Sequence, residues 1–182
     1  MLSEKTKSFI EKLAYNFQEA ITYQSPNLYN VDSIINFVSS MGCEIVFNTG
    51  FNKFVFDNGA YKIQFESDLV TYKQTPSDTV RFLRVFFHEV WHFITKKINL
   101  DFEGYDDNAY TPESLSIKEA TANYFSRAMV FPERIFVQCV INHTQSDGMC
   151  NIFEVAKHFN LPYSDVIARG NDLNLWNVKG GL

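Results

Sequence analysis

Residues 85–94 read Val-Phe-Phe-His-Glu-Val-Trp-His-Phe-Ile, and the interpretation of the whole chain starts from this stretch. It contains the pattern H-E-x-x-H, formed by His88, Glu89 and His92. On a helix, His88 and His92 lie one turn apart on the same face, so both imidazoles can bind one Zn²⁺. Glu89 is rotated by roughly 100° from His88. It therefore misses the metal but can reach a metal-bound water, which is the position of a general base.

The pentapeptide alone also fits a buried helix whose two histidines are satisfied by backbone or carboxylate partners. Its surroundings indicate a well-marked helix. The segment Thr75-Pro76-Ser77-Asp78 offers a capping threonine, a proline at the first helical position and an acid three residues after the cap. Lys96 and Lys97 lie where a helix C-terminus favours cations. Apolar residues recur between these ends at helical spacing, which predicts a helix of about 20 residues.

A hydrolytic zinc site needs a third protein ligand, and Glu119 is the best candidate. A second helix is predicted to begin at Thr111-Pro112-Glu113 and to carry Glu119. Asn123 follows one turn later on the same face, where it can accept the spare ring N–H of a ligand histidine. The alternative is a solvated carboxylate and a surface amide. The predicted buried stripe of this helix consists of Leu115, Ala122, Phe125, Met129 and Val130.

Three segments in this order resemble the ImmA/IrrE family of metallopeptidases. They are the H-E-x-x-H stretch 88–92, the stretch 119–126 (Glu-Ala-Thr-Ala-Asn-Tyr-Phe-Ser) and the stretch 129–132 (Met-Val-Phe-Pro). The family shows H-E-x-x-H followed by E-x-x-A-N-x-F-A and a short apolar stretch that ends in proline. The resemblance covers roughly residues 43–132. The chain departs from the family at Val90-Trp91, Ser126 and Phe131, and Trp91 either narrows the site or fills the core.

The resemblance implies a zincin-like fold and a zinc-dependent peptidase. His88, His92 and Glu119 would be the metal ligands, with Glu89 as the catalytic acid/base. Such proteins often cleave a helix-turn-helix repressor and so activate genes that it silenced. The implied partner is therefore a protein substrate. A cytoplasmic location is expected on separate grounds, namely the charges that interrupt the early apolar residues and the lack of a run long enough to span a membrane.

The composition favours one folded domain over residues 1–182. Hydrophobic residues are 46% and aromatic residues 16%, which is enough for a full core. A net charge of −5 argues against broad nucleic-acid binding. The three cysteines have no metal-ligand spacing and are interpreted as free thiols of a reducing compartment. No signal peptide and no membrane span is expected, because charges interrupt the early apolar residues and no run is long enough.

The remaining pattern predicts an α+β fold, mainly helical, with a small three-stranded antiparallel or mixed sheet beside the H-E-x-x-H helix. Two amphipathic helices come first, separated by a break at Ser25-Pro26-Asn27, and Gly42 ends the second. An alternating stretch begins at Cys43. Asn58-Gly59 then predicts a hairpin that pairs Phe54 with Ile63 and Phe56 with Tyr61. We hypothesise that the strand around Ile63–Glu66 binds substrate as an added strand; the alternative is an ordinary solvated strand face.

The segment from Asn99 to Tyr110 is interpreted as an acidic loop rather than a calcium site, because the required ligand spacing is absent. Tyr105 or Tyr110 is a weak candidate to polarise a substrate carbonyl. Residues 133–178 are predicted to form a helical C-terminal subdomain of helix-turn-helix-like outline. Its charge is nearly balanced, which favours packing or partner docking over direct DNA binding. Residues 179–182 are expected to be a flexible end.

Histidines in this tail, His143 and His158, are not expected to be metal ligands. Two alternatives to a peptidase stay open. One is a non-catalytic regulator that keeps zinc for structure and acts through its helical tail. The other is a toxin–antitoxin-type partner that works by binding alone. An intact Glu89 argues against the first alternative, because a structural zinc does not need that acid.

Overall fold

The structure, a computed structural model, describes residues 2–24, 30–66, 75–100 and 111–176. The helices of the described residues are α1 (Glu4–Gln24), α2 (Val31–Ser40), α3 (Pro76–Lys97), α4 (Pro112–Val130), α5 (Glu133–Asn142), α6 (Ile152–Phe159) and α7 (Tyr163–Asp172). The strands are β1 (Cys43–Thr49), β2 (Lys53–Asp57) and β3 (Ala60–Glu66). The predicted class, α+β and mainly helical with a small mixed sheet, is confirmed.

The sheet has the strand order β1-β3-β2. β2 and β3 form the predicted hairpin, and both turn residues, Asn58 and Gly59, have positive φ values of 49° and 79°. Such a turn matches the natural twist of paired strands. The predicted register is confirmed, because Phe54 pairs with Ile63 and Phe56 with Tyr61. β1 pairs with β3 in parallel, which makes the sheet mixed.

This strand order corrects one expectation about substrate binding. β3 includes Ile63–Glu66 and lies in the centre of the sheet, with β1 on one side and β2 on the other. Its backbone groups are committed to these two ladders, so it cannot accept an added strand. The edge strand that lines the cleft beside the H-E-x-x-H helix is β2, through Lys53, Phe54 and Phe56.

Local capping signals set the ends of the helices that carry the candidate site. The side chain of Thr75 accepts the backbone N–H of Asp78 at 3.1 Å and begins α3. Thr111 accepts the N–H of Ser114 at 3.2 Å and begins α4. Each cap satisfies a backbone donor that the first helical turn leaves without a partner. Gly42, at φ +91°, follows the last turn of α2 in the left-handed conformation that favours glycine.

The H-E-x-x-H helix is buried along most of its length. Trp91 is fully buried, stacks near Phe125 with ring centroids 5.1 Å apart, and donates its indole N–H to Thr121 at 3.0 Å. It therefore fills the core and does not narrow the site. On the sheet side, α3 contacts aromatic residues of β2 and β3, with Phe65 and Phe86 centroids 5.6 Å apart. This packing holds the helix against the sheet.

The predicted buried stripe of α4 is wrong at one position. Ala122, Phe125, Met129 and Val130 are buried, but the side chain of Leu115 is 44% exposed and lines the cleft near Glu119. In the first turns of α4 the buried positions are instead Ser114 and Lys118, so the face that is buried there differs from the face marked by the apolar residues.

The tail is joined to the rest of the protein by an apolar core and by ion pairs. Its buried residues belong to the same hydrophobic cluster as those of α1, α3 and α4. Arg169 of α7 is fully buried and binds Glu11 of α1 through two hydrogen bonds, one of them 2.9 Å long. Arg127 of α4 binds Asp172 of α7 in the same two-pronged way. The guanidinium of Arg169 is thus enclosed by protein and cannot contact DNA.

Several expectations concern residues outside the described ranges. These are the break at 25–27, the loop within 101–110 with its two tyrosines and its calcium alternative, and the chain end at 179–182. Among the helices that the structure describes, none is both long and apolar enough to cross a membrane.

Candidate metal centre

The candidate site lies where α3 and α4 run side by side in opposite directions. His92 is next to Glu119, and His88 is next to both Glu119 and Asn123. Because the helices are antiparallel, His92, one turn after His88 on α3, lies beside Glu119, one turn before Asn123 on α4. The spacing of four residues places both side chains of each helix on the face towards the other helix.

Three candidate ligands predicted from the sequence come together. The Nε2 atoms of His88 and His92 are 3.3 Å apart. A carboxylate oxygen of Glu119 lies 3.2 Å from the first nitrogen, and its other oxygen lies 3.5 Å from the second. Zinc bonds of about 2.0–2.1 Å at tetrahedral angles place neighbouring ligand atoms about 3.3–3.4 Å apart. The His88–His92 and His88–Glu119 separations match this spacing, and the second carboxylate oxygen contacts His92, so the three side chains are close enough together to bind one Zn²⁺.

The chemistry of the donor set also fits zinc. Two imidazole nitrogens and one carboxylate are the ligand combination of hydrolytic zinc sites that keep a position open for water. Each histidine side chain is 18% exposed, whereas Glu119 is 60% exposed. The ligand triangle is thus anchored in the protein on the α3 side and reaches solvent on the α4 side. Among the described residues, this is the one group of three or more possible ligands that converges.

The candidate ligand side chains shift the pKa values of one another. Hydrogen bonds from His88 and then His92 hold the pKa of Glu119 far below its ordinary value. Burial lowers the pKa of His88, but the hydrogen bond to Glu119 and the nearby Glu89 charge outweigh it, so the net shift is upward. Glu119 is therefore an ionised carboxylate, which is the form that binds a cation.

Asn123 lies behind His88, as predicted. Its Oδ1 is 3.3 Å from the Nδ1 of His88. In a neutral ring that binds a metal, a hydrogen bond from Nδ1–H to the amide oxygen would leave the lone pair on Nε2, which faces Glu119. The contact with Asn123 therefore suits a ring orientation that directs Nε2 towards the candidate metal position.

Glu89 is buried beside the ligands, with 7% of its surface exposed, and its side chain borders the same cleft. Burial raises the pKa of its carboxyl, while the neighbouring His88 and His92 and a backbone hydrogen bond from Phe54 act against that rise. Glu89 does not belong to the converging ligand group. It is therefore a carboxyl group placed next to the candidate metal but outside its ligand set.

A cleft of about 650 Å³ opens over these residues between β2, α3 and α4. Besides the predicted site residues, it is lined by residues that the sequence did not assign to the site. These are Asn52, Lys53, Phe54, Phe56, Lys96, Leu115 and Lys118. The helical spacing contains a signal for two of them: Lys96 is one turn after His92, and Leu115 is one turn before Glu119.

His143 and His158 lie away from this site. Both line a separate groove of about 1170 Å³ between α1 and α5. His143 contacts the backbone carbonyl of Cys139 through Nδ1 at 2.9 Å.

In comparisons with known proteins, no family model matches the chain, and no curated protein is significantly similar to it.

Proposed function

We propose that this protein is a zinc-dependent endopeptidase of the ImmA/IrrE type with a zincin-like site. The observation that carries the proposal is the convergence of His88, His92 and Glu119, whose ligand atoms all lie within 4.8 Å of one another. Two of their separations match the ligand spacing of tetrahedral zinc, and Glu89, an acid outside this ligand group, lies beside them. A structural zinc site would have no use for that buried acid.

The metal would be held by Nε2 of both histidines and by the carboxylate of Glu119. When bound there, Zn²⁺ supplies Lewis acidity, which activates water at neutral pH and polarises the scissile carbonyl. The ligands carry one negative charge in total, so the centre keeps a net positive charge. Asn123 keeps the His88 ring in its binding orientation during turnover.

Glu89 acts as the general base and then as the general acid. It accepts the proton of the attacking water and later donates it to the leaving amine. Its burial raises the pKa of the carboxyl, and a raised value suits a group that must both take and release a proton near neutral pH. The backbone hydrogen bond from Phe54 links this acid to the edge strand β2.

The substrate is an extended segment of a protein, which we propose binds along β2. This strand lines the cleft and bonds to β3 on one side. On its other edge the backbone N–H of Phe54 bonds Glu89, and the remaining backbone groups of that edge can form ladder hydrogen bonds with an added strand. By the sequence resemblance, the substrate would be a helix-turn-helix repressor. Because Arg169 is buried against Glu11, it cannot serve as a DNA contact of the tail.

Glu89→Gln tests the proposal most directly. Purified wild-type protein, Glu89→Gln and the control Glu113→Gln, an exposed acid in the first turn of α4, are loaded with zinc. Zinc content is measured by mass spectrometry, and cleavage is measured on a panel of helix-turn-helix repressors and on unfolded casein. We expect equal zinc in all three proteins and a fall in cleavage of about 10²–10⁴-fold in Glu89→Gln alone.

Two results would contradict the proposal. One is cleavage that persists in Glu89→Gln. The other is zinc-loaded wild-type protein that binds a repressor without cutting it and keeps this binding after chelation. The second result would instead favour the non-catalytic regulator or the toxin–antitoxin-type partner.

A further inference from the structure

A hydrogen bond joins α3 and α4 in the core, on the buried side of the candidate metal centre. The indole N–H of Trp91 donates to the hydroxyl of Thr121 at 3.0 Å, and both side chains are fully buried. Trp91 directly precedes His92, and Thr121 lies two residues after Glu119. The bond therefore joins the same two helical segments as the candidate ligands do, but through other side chains.

The ligand contacts and this hydrogen bond reach α4 from different sides. Successive residues of a helix are about 100° apart around its axis, so Thr121 is rotated by about 200° from Glu119. Glu119 is 60% exposed and lines the cleft, whereas Thr121 is enclosed in the core. A rotation of α4 about its own axis therefore displaces both residues at once. It moves Glu119 away from the histidines and Thr121 away from the indole.

The hydrogen bond is sensitive to small rotations of α4. A helix with its side chains has a radius of about 5–6 Å, so a rotation of about 10° displaces an atom at its surface by about 1 Å. N–H···O hydrogen bonds span only about 2.7–3.2 Å, and the side chains of a functional site must be held within about 0.5 Å. A rotation that misplaces Glu119 therefore also weakens the Trp91–Thr121 bond. The apolar contacts around it are non-directional and resist such a rotation less specifically.

Further contacts hold the donor and the acceptor of this bond in place. The hydroxyl of Thr121 lies 2.9 Å from the backbone carbonyls of Ile117 and Lys118, so it donates its hydrogen within α4 and presents a lone pair to the indole. The Trp91 ring packs against Phe125, one turn after Thr121, with ring centroids 5.1 Å apart. Each partner is thus oriented by a second contact, which is what a positioning role requires.

We infer that Trp91 and Thr121 are positioning residues of the candidate metal centre, because their hydrogen bond sets the rotation of α4 and so the placement of Glu119 opposite the two histidines. The inference rests on the proposed metal-dependent function. It adds two residues that lie outside both the converging ligand group and the lining of the cleft. Loss of the bond weakens metal binding and alters the coordination geometry, in addition to lowering the stability of the fold.

Metal affinity and a cobalt spectrum test this inference on the full-length protein. Zn²⁺ affinity is measured by competition with a chelating dye, and the visible absorption of bound Co²⁺ reports the coordination geometry. Thr121→Val removes the acceptor with little change in volume; it should lower zinc affinity by about tenfold, the lower end for a residue behind metal ligands, and change the cobalt spectrum. Thr121→Ser keeps the hydroxyl and should retain both wild-type properties. Trp91→Phe should match Thr121→Val, and the double variant should lose no more affinity than either single variant.

Trp176→Phe is the matched control for Trp91→Phe. Trp176 likewise donates its indole N–H, to the backbone carbonyl of Ile167 at 3.0 Å, but it belongs to the tail and does not line the cleft. Loss of this bond should lower the thermal unfolding midpoint and leave zinc affinity and the cobalt spectrum unchanged. The comparison therefore separates a positioning role from a contribution to stability alone.

The outcomes separate this inference from the proposed function. Three results would overturn the positioning role but leave the metal centre intact: wild-type metal binding in Thr121→Val, a Thr121→Ser variant as impaired as Thr121→Val, or additive losses in the double variant. Wild-type protein that binds zinc but cleaves nothing would contradict the peptidase and not the positioning role. Wild-type protein that binds neither metal would overturn both. Thermal unfolding of each variant establishes that it is folded; if Trp91→Phe does not fold, the comparison of Thr121→Val with Thr121→Ser decides.

Discussion

The most direct physical consequence of the candidate metal centre is that Zn²⁺ should stabilise the folded protein through Glu119. A ligand that binds only the native state stabilises it by RT ln(1 + [L]/Kd). The three ligand atoms come together in the folded chain through α3 and α4, so the unfolded chain lacks the site. We therefore expect a zinc-dependent rise in the thermal unfolding midpoint of the wild-type protein.

The expected size follows from the linkage relation. Free zinc at about 1,000 times its Kd adds about 4.1 kcal/mol to the free energy of unfolding. For a domain of this length, 1 kcal/mol shifts the midpoint by about 2–4 °C, so the wild-type shift is about 8–16 °C. Removing a residue that hydrogen-bonds a metal ligand weakens metal affinity by about 10–100-fold. Removing a ligand itself should weaken it by at least about 100-fold. Glu119→Gln should then keep only about 1.4 kcal/mol, or about 3–6 °C.

Differential scanning fluorimetry at fixed free zinc, with each protein compared with its own metal-free form, measures both shifts. Glu113→Gln removes a carboxylate from the same helix without touching the ligands and should retain the full wild-type shift. If zinc stabilised wild type and Glu119→Gln equally, Glu119 would not be a ligand and the site would reduce to a histidine pair. If zinc did not raise the unfolding midpoint of the wild-type protein, the proposal that these three residues bind zinc would be wrong.

Three further changes test the interpretation of the structure. Asn123→Ala should lower zinc affinity by about 10–100-fold without removing a ligand, as measured by competition with a chelating dye. Gly170→Ala should destabilise the protein by about 1–3 kcal/mol in urea titration, because the new Cβ would lie 1.8 Å from Trp176. Arg169→Met should lower the urea-derived stability by about 3 kcal/mol, because it leaves the Glu11 carboxylate without its buried cation.

Matched controls make these stability changes interpretable. Gly50 has no heavy atom within 4 Å of an added Cβ, so Gly50→Ala should be close to neutral where Gly170→Ala is costly. Arg134, an exposed residue of α5, provides the control for Arg169, and its change to Met should alter stability by less than about 0.5 kcal/mol. Similar losses in control and test variants would mean that the steric and ionic explanations are wrong.

Features that depend on neighbouring residues were predictable from the sequence. The caps at Thr75 and Thr111 need only a hydroxyl and an N–H three residues later, and both contacts are present. The hairpin depends on two turn residues with positive φ, Asn58 and Gly59, and its register follows from that turn. The approach of Glu119 to the histidines was also anticipated, although from family resemblance and helix periodicity together.

Features that depend on distant parts of the chain were not predictable. The central place of β3 follows from its parallel pairing with β1, and no local pattern specifies that pairing. The exposure of Leu115 depends on whether another layer covers the first turns of α4. The burial of Arg169 has no local signal, because its partner Glu11 is 158 residues away. In each case the deciding contact joins residues that are far apart in the sequence, and sequence periodicity does not predict such contacts.

The bond between Glu11 and Arg169 cannot form until both residues have been translated, which delays this contact during synthesis. Glu11 emerges from the ribosome early, whereas its buried partner is translated 158 residues later. At about 5–20 residues per second, the α1 carboxylate waits roughly 8–32 s for its cation. Helices α3 and α4, which carry the candidate metal ligands, are both translated within that interval. The ion pair therefore forms only after both of these helices have been synthesised.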